Sequence, residues 1–224
     1  MDSETAQSRS VQRSEAFLTV AFLSLSGGLQ DAYTYMDRGG VFANAQTGNI
    51  VLLSVNLLEG NWGKVLHYLI PLLFFALGVA AAVWIRSRFR HAGRIHWRQL
   101  VVAAEILLLF LVGLLPDSAA LWANALVSFS CAMQVQSFRK VDGFAFASTM
   151  CIGDLRSGME ALCTLGATHD RAYRRKAVRY FSVILLFALG AGAGGLGVAL
   201  LGHRTVWLSC GLLVVCFGLM CKKP

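Results

Sequence analysis

Eight apolar runs follow one another along the 224 residues with only short polar joins: Ala16–Met36, Val41–Leu58, Val65–Ile85, Leu100–Leu115, Ala119–Phe138, Phe144–Gly166, Ala177–Leu201 and Thr205–Cys221. A straight helix needs about 20 apolar residues to cross a bilayer, and these runs reach or approach that length. Within lipid each backbone polar group must be satisfied inside its own segment, so the pattern predicts an all-α polytopic membrane protein. Composition agrees: the chain is 56% hydrophobic and only 14% charged, far from soluble averages. Residues 1–15 read as a polar cytoplasmic tail. The first run follows Arg9 and Arg13 but is long and has no clear small-x-small cleavage site. It reads as a retained helix rather than a signal peptide.

Charge decides how the runs are counted. The formal charge of +8 sits mostly in short loops, where it marks topology and contacts anionic lipid headgroups rather than nucleic acid. Arg86, Arg88, Arg90, Arg94 and Arg98 form one basic loop; Arg171, Arg174, Arg175, Lys176 and Arg179 form another. If all eight runs crossed, these loops would lie on opposite faces, against the positive-inside rule. If runs two and six enter and leave on one side, both basic loops, both termini and Arg139-Lys140 become cytoplasmic. Only Arg38, Lys64 and Arg204 then lie outside. The expectation is about six spanning helices plus two re-entrant or broken ones, in one membrane domain over residues 16–115 and 119–221.

The polar residues concentrate where the chain is expected to break. Gly27-Gly28-Leu29-Gln30-Asp31-Ala32 is followed by Gly39-Gly40 and by Asn44-Ala45-Gln46-Thr47-Gly48-Asn49. Irregular backbone at membrane depth is tolerated only inside protein or beside a water-filled cavity. Asp31 is costly to turn toward lipid; it could bind a cation, carry a proton, or brace the Gly39-Gly40 turn. Thr47, Gly48 and Asn49 offer a hydroxyl, backbone and an amide at a helix end, a place that favours ions.

An internal repeat supports the same plan. Gln30-Asp31-Ala32 leads to Thr47-Gly48-Asn49 as Gln136-Ser137-Phe138 leads to Ile152-Gly153-Asp154, and Phe75-Ala76-Leu77-Gly78 recurs as Phe187-Ala188-Leu189-Gly190. Each half reads as helix, polar re-entrant segment, helix, helix, and the halves start on opposite sides. Such inverted repeats place broken segments together near the midplane. Thr149, Gly153 and Asp154 would then join Gln30, Asp31, Asn44, Gln46, Thr47, Gly48, Asn49 and Gln136 in one substrate or ion site.

The other polar residues have plainer readings. Arg156 and Glu160 stand four apart and can form a structural ion pair on a helix. Glu105 reads as a side chain reaching to the cytoplasmic interface beside the basic loop. His67 and His203 sit near membrane boundaries. The glycines at 190, 192, 194, 195 and 197 make small-xxx-small pairs, which favour close packing within one chain or in a homodimer. The six cysteines show no CxxC and behave as small hydrophobes; no metal or cofactor is expected. The chain has no HExxH and no GxSxG, which lowers an enzyme reading.

At Gly28-Leu29-Gln30-Asp31-Ala32 and Gly40-Val41-Phe42 through Thr47-Gly48-Asn49, followed by Val51-Leu52-Leu53, the chain resembles the YoaK-type family of bacterial integral membrane proteins of unknown function. The family's second half carries an Ala-Met-x-x-Gln pattern and then Thr-Gly. This chain has Ala132-Met133-Gln134-Val135-Gln136 and then Ile152-Gly153, so one hydroxyl is replaced. The resemblance implies a location in the bacterial inner membrane and no particular substrate. The residues themselves suggest a small transporter or channel for a small solute or ion. A membrane-embedded enzyme acting on a lipid or isoprenoid and a non-catalytic accessory subunit stand as alternatives.

Overall fold

The computed structural model describes residues 17–90, 96–141, 144–145 and 151–221. The N-terminal tail, Arg94, Thr149 and Lys222-Lys223 lie outside the described residues. Among the described residues eight α-helices carry the fold: α1 (Phe17–Asp37), α2 (Gln46–Leu58), α3 (Trp62–Phe89), α4 (Trp97–Val112), α5 (Ala120–Ser137), α6 (Cys151–Thr168), α7 (Arg171–Leu201) and α8 (Val206–Cys221). Strand β1 (Lys140–Val141) pairs antiparallel with β2 (Phe144–Ala145) between α5 and α6. Among the described residues three stretches are long and apolar enough to cross a membrane: Trp62–Phe89, Asp117–Ser137 and Arg171–Cys221, the last containing both α7 and α8. Large apolar side chains such as Leu77, Trp84, Leu189, Leu196 and Val214 are exposed, a surface suited to lipid rather than water.

Side-chain contacts sort the helix ends into two groups. At one end, Arg98 Nε donates to the Ser137 carbonyl (3.0 Å) and Gln99 Nε2 to that of Met220 (3.2 Å), joining the start of α4 to the ends of α5 and α8. The guanidinium of Arg86, near the end of α3, lies 5.8 Å from the Trp97 ring centroid, and that of Arg179 lies 4.4 Å from that of Phe17. This end carries the basic residues. At the other, Arg38 donates to the carbonyls of Leu115 and Pro116, His67 Nε2 donates to Gly39 O (2.9 Å), and Trp207 Nε1 donates to Phe110 O (3.2 Å). Helices α1, α3, α4, α5, α7 and α8 therefore run alternately from one end to the other.

Helices α2 and α6 do not follow that rule. After α1 the chain turns through Gly39 (φ +89°) and Gly40 (φ +80°), left-handed conformations that glycine adopts without a Cβ penalty. It then runs back into the bundle until Asn44 reaches the carbonyl of Gly27, deep in α1. Helix α2 returns from that depth to the end where α3 begins. Its 13 residues make about 20 Å of helix, short of a full crossing. Helix α6 returns likewise to the basic end where α7 starts. Gly158 packs on Phe181 and Tyr180 of α7, so Cys151, about two turns further, comes level with the middle of the bundle.

The packing is paired across the two halves. α1 lies along α7, and α5 lies along α3; α1 touches α8 as α5 touches α4; α2 lies on α3 as α6 lies on α7. Gly78 packs on the Phe129 carbonyl as Gly190 packs on that of Leu25. Exchange of α1–α4 with α5–α8 thus maps the contacts onto themselves while reversing helix direction. Gly190 and Gly194 are used against α1 within the chain, the latter on Leu29 and Ala32. The main apolar core lies between α1, α4, α5 and α8 and includes Leu23, Tyr33, Val102, Leu109, Val112, Val127, Cys131, Leu213 and Cys216.

Candidate functional site

Asp31 sits two-thirds of the way along α1 and is 7% exposed. Its Oδ1 accepts the Asn44 backbone N–H at 2.8 Å and Asn44 Nδ2 at 3.3 Å. The same Nδ2 donates to the Gly27 carbonyl at 3.3 Å. Asp31 therefore braces the tip of the re-entrant segment, not the Gly39-Gly40 turn. Ala45, the residue capping α2, makes no side-chain cap, so the acceptor at the start of α2 is supplied from α1. A carboxylate is favourable beside the unpaired N–H groups of a helix start.

The neighbouring polar residues divide by role. Asn49 is buried and forms a closed ring with the loop: Phe42 N–H donates to its Oδ1 (3.1 Å), while its Nδ2 donates to Phe42 O (2.6 Å) and Gln46 Oε1 (2.9 Å). Gln46 Nε2 donates to Ala43 O (2.8 Å). These two amides are committed to holding the loop. Thr47 is exposed, because two residues of helix turn it about 200° away from Asn49. Gly48 stands half-buried between them.

On α1 and α5 the structure reveals a second repeated polar motif. Ser24, Ser26 and Gln30 are buried on α1, as are Ser128, Ser130 and Gln134 on α5; both helices read Ser-x-Ser-x-x-x-Gln. The offset that equates Leu25 with Phe129, the carbonyls under Gly190 and Gly78, also equates Gln30 with Gln134. The match of Gln30 to Gln136 is therefore shifted by two residues, and Gln136 is only half-buried. Two glutamines two residues apart compete for the match, and helix phase selects the one facing inward. Gln30 Nε2 donates to Ser26 Oγ (2.9 Å), its Oε1 accepts the Cys131 thiol (3.0 Å), Ser26 and Ser209 hydroxyls meet at 3.0 Å, and Gln134 Nε2 donates to Leu23 O (3.2 Å). A repeated serine–glutamine spacing is the signal that could have found this set.

In the second half, Asp154 is 2% exposed on the first turn of α6. Cys151 lies within electrostatic range of both Asp154 and Asp31, so the two breaks bring their carboxylates toward one region. Extensive packing between α2 and α6 is absent among the described residues; the approach is of the start of α6 to Asp31 on α1. Gly153 is exposed with open space around it. Arg156 and Glu160 are both exposed, and no ion pair joins them among the described residues. Long side chains in a polar environment gain little from such a pair.

Two charged residues are fully buried. Arg38, expected on the outer face, lies at the end opposite the basic loops with its side chain fully buried. Its Nε donates to Tyr33 Oη (2.7 Å), Nη1 to Pro116 O (2.9 Å) and Nη2 to Leu115 O (3.1 Å), while Asn124 Nδ2 holds its own carbonyl (2.7 Å). Asp37 pairs with it at 3.3 Å. Glu105, expected at the interface, is also fully buried. It shares the core stripe of α4 with Val102, Leu109 and Val112, and helix phase overrides its proximity in sequence to the arginines.

Residues 19–219 match the family described as "Protein of unknown function (DUF1275)". The chain is 26% identical over 210 residues to the UPF0700 transmembrane protein YoaK of Bacillus subtilis (strain 168), covering 90% of this chain and 91% of the relative. No solved structure matches it. With the family match running from the start of α1 to the end of α8 over helices surfaced for lipid, the chain is a membrane protein that belongs to the DUF1275 family.

Proposed function

We propose that the protein is a small transporter or channel for a small solute or ion, working in the bacterial inner membrane with its basic loops and both termini cytoplasmic. The observation that carries this is the bond between Asp31 and the tip of the first re-entrant segment. An enclosed acidic side chain within a membrane bundle is costly and is typical of ion and proton pathways. Here the cost is offset by hydrogen bonds that tie down the chain at residue 44. A proton or cation arriving at Asp31 competes for the oxygen that holds Asn44, and loosens the segment from α1. The same event opens the region shared with Asp154 and Cys151. The paired helix starts supply N–H groups for an anionic group of a solute, and the basic end contacts anionic lipid.

The test is flux. Purified protein is reconstituted into liposomes containing a pH-sensitive dye and challenged with a panel of amino acids, sugars, nucleosides and monovalent cations. The proposal expects at least one member to evoke proton or solute movement that Asp31→Asn removes while the protein stays folded. Flux unchanged by Asp31→Asn, or a lipid product formed by the purified protein and lost in Asp154→Asn, contradicts it. The second result would favour the enzyme reading.

A further inference from the structure

Glu105 is the described buried carboxylate that the Asp31 site does not use. It lies on the third turn of α4 with side-chain exposure of 0%, and neither carboxyl oxygen has a hydrogen-bond partner. The stripe that carries it packs into the core between α1, α5 and α8. The titratable groups that face it are thiols: Cys131 of α5 and Cys216 of α8 both lie within its electrostatic range. No salt bridge or hydrogen bond holds it among the described residues. Asp31 approaches the same Cys131 from α1, and Cys131 donates to Gln30, the residue before Asp31. Both carboxyl groups therefore lie near one thiol, which is joined through Gln30 to the Ser26 and Ser209 hydroxyls.

We propose that Glu105 is a proton-binding site on the cytoplasmic side of Asp31, exchanging its proton with Asp31 through the polar groups around Cys131. The site deepens the transport reading and rests on it. A carboxyl group in this core position serves packing worse than the leucine its neighbours would predict, whereas a proton carrier needs a place where the carboxyl changes charge inside the protein. Its placement fits a relay. Trp97 at the basic end is eight residues earlier, so Glu105 is about 12 Å into the bundle, and Asp31 binds the segment entering from the opposite end. Proton transfer conserves all bonds but one: the O–H bond of the Glu105 carboxyl breaks and an O–H bond to Asp31 forms, with intervening hydroxyls, thiol or water passing the proton on.

The experiment reads protonation without requiring transport. Full-length protein in liposomes is treated over a pH series with dicyclohexylcarbodiimide, a lipid-soluble reagent that adds to protonated carboxyl groups, and modification is located by mass spectrometry. The proposal expects Glu105 to be modified at acid pH, with loss of modification as pH rises, and Glu105→Gln to abolish proton flux while leaving solute binding and the folded state intact. Glu105→Leu should fold at least as well as the natural chain and be equally inactive in proton flux. Modification that does not change with pH, or none at any pH, overturns the proposal. So does proton flux retained by Glu105→Gln. If Glu105 titrates but no solute or ion moves, the proton site stands and the transport reading fails. If transport occurs with unchanged pH dependence in Glu105→Gln, the transport reading stands and this site fails.

Discussion

The Asn44 backbone N–H donates to Asp31 Oδ1 across thirteen residues of chain, at 2.8 Å. That bond joins the tip of a re-entrant segment to the middle of a full-length helix, so the ionic state of one side chain is coupled to the position of a loop. Asp31→Ala removes the acceptor and leaves buried donors unpaired, which costs about 1–3 kcal/mol. Asp31→Asn retains an acceptor oxygen and should cost less. Thermal unfolding in detergent should rank natural above Asp31→Asn above Asp31→Ala; equal losses would show that the bond holds nothing.

Arg38 clamps three connections at the end opposite the basic loops. Its guanidinium satisfies a tyrosine hydroxyl and two loop carbonyls, a fork that lysine cannot reproduce. Removing one partner of a buried charged network costs about 3–5 kcal/mol. Arg38→Met and Arg38→Lys should both lower the unfolding temperature strongly. Asp117→Asn, at a position 82% exposed and 3.9 Å away, should change it little.

The α1–α7 contact is set by the absence of side chains. A Cβ at Gly28 or Gly190 would meet the backbone carbonyl of Phe187 or Leu25, whereas at Gly192 it would meet open space. Forced separation in a packed core costs about 1–3 kcal/mol, against about 1 kcal/mol gained from helix propensity. Gly28→Ala and Gly190→Ala should therefore be neutral to destabilising. Gly192→Ala should be stabilising or silent. Expression level and melting temperature in detergent read the difference.

Much of this arrangement was legible in the chain. Loop arginines against apolar runs identify α2 and α6 as the segments to question, and Asp31 with the amides at 44–49 marks the break. Roles within the break were not legible. Asn49 and Thr47 look alike as polar groups at a helix start, yet one closes a ring with Phe42 and the other points outward. Glu105 was misplaced because helix phase outweighs its closeness in sequence to a charged loop. The stripe Val102, Glu105, Leu109, Val112 points inward as a unit. The correspondence of Gln30 with Gln134 needed the carbonyls beneath Gly78 and Gly190, since the sequence holds a competing glutamine at 136.

The sulfur chemistry offers a further check. Cys131 is buried between α1 and α5, while Cys163 and Cys221 are exposed. A membrane-permeant maleimide should label Cys163 and Cys221 in the folded protein and reach Cys131 only when the Gln30–Asp31 region opens. Cys131 labelling that rises on Asp31→Asn substitution would tie that opening to the loss of the carboxylate. Labelling as fast as at Cys163 in the natural protein would mean that the core around Gln30 is not closed.

The most direct measurement is side-specific labelling of single cysteines in a background freed of the six natural ones. Asp37→Cys and Asn61→Cys flank the first re-entrant segment; Ser87→Cys and Ala172→Cys lie at the basic end. With a membrane-impermeant maleimide applied to intact cells, positions 37 and 61 should both label from outside. Positions 87 and 172 should label only after the cytoplasmic face is exposed. Labelling of 37 and 61 from opposite faces would mean that residues 41–58 cross the membrane, and the Asp31–Asn44 tether could not be the tip of a re-entrant segment.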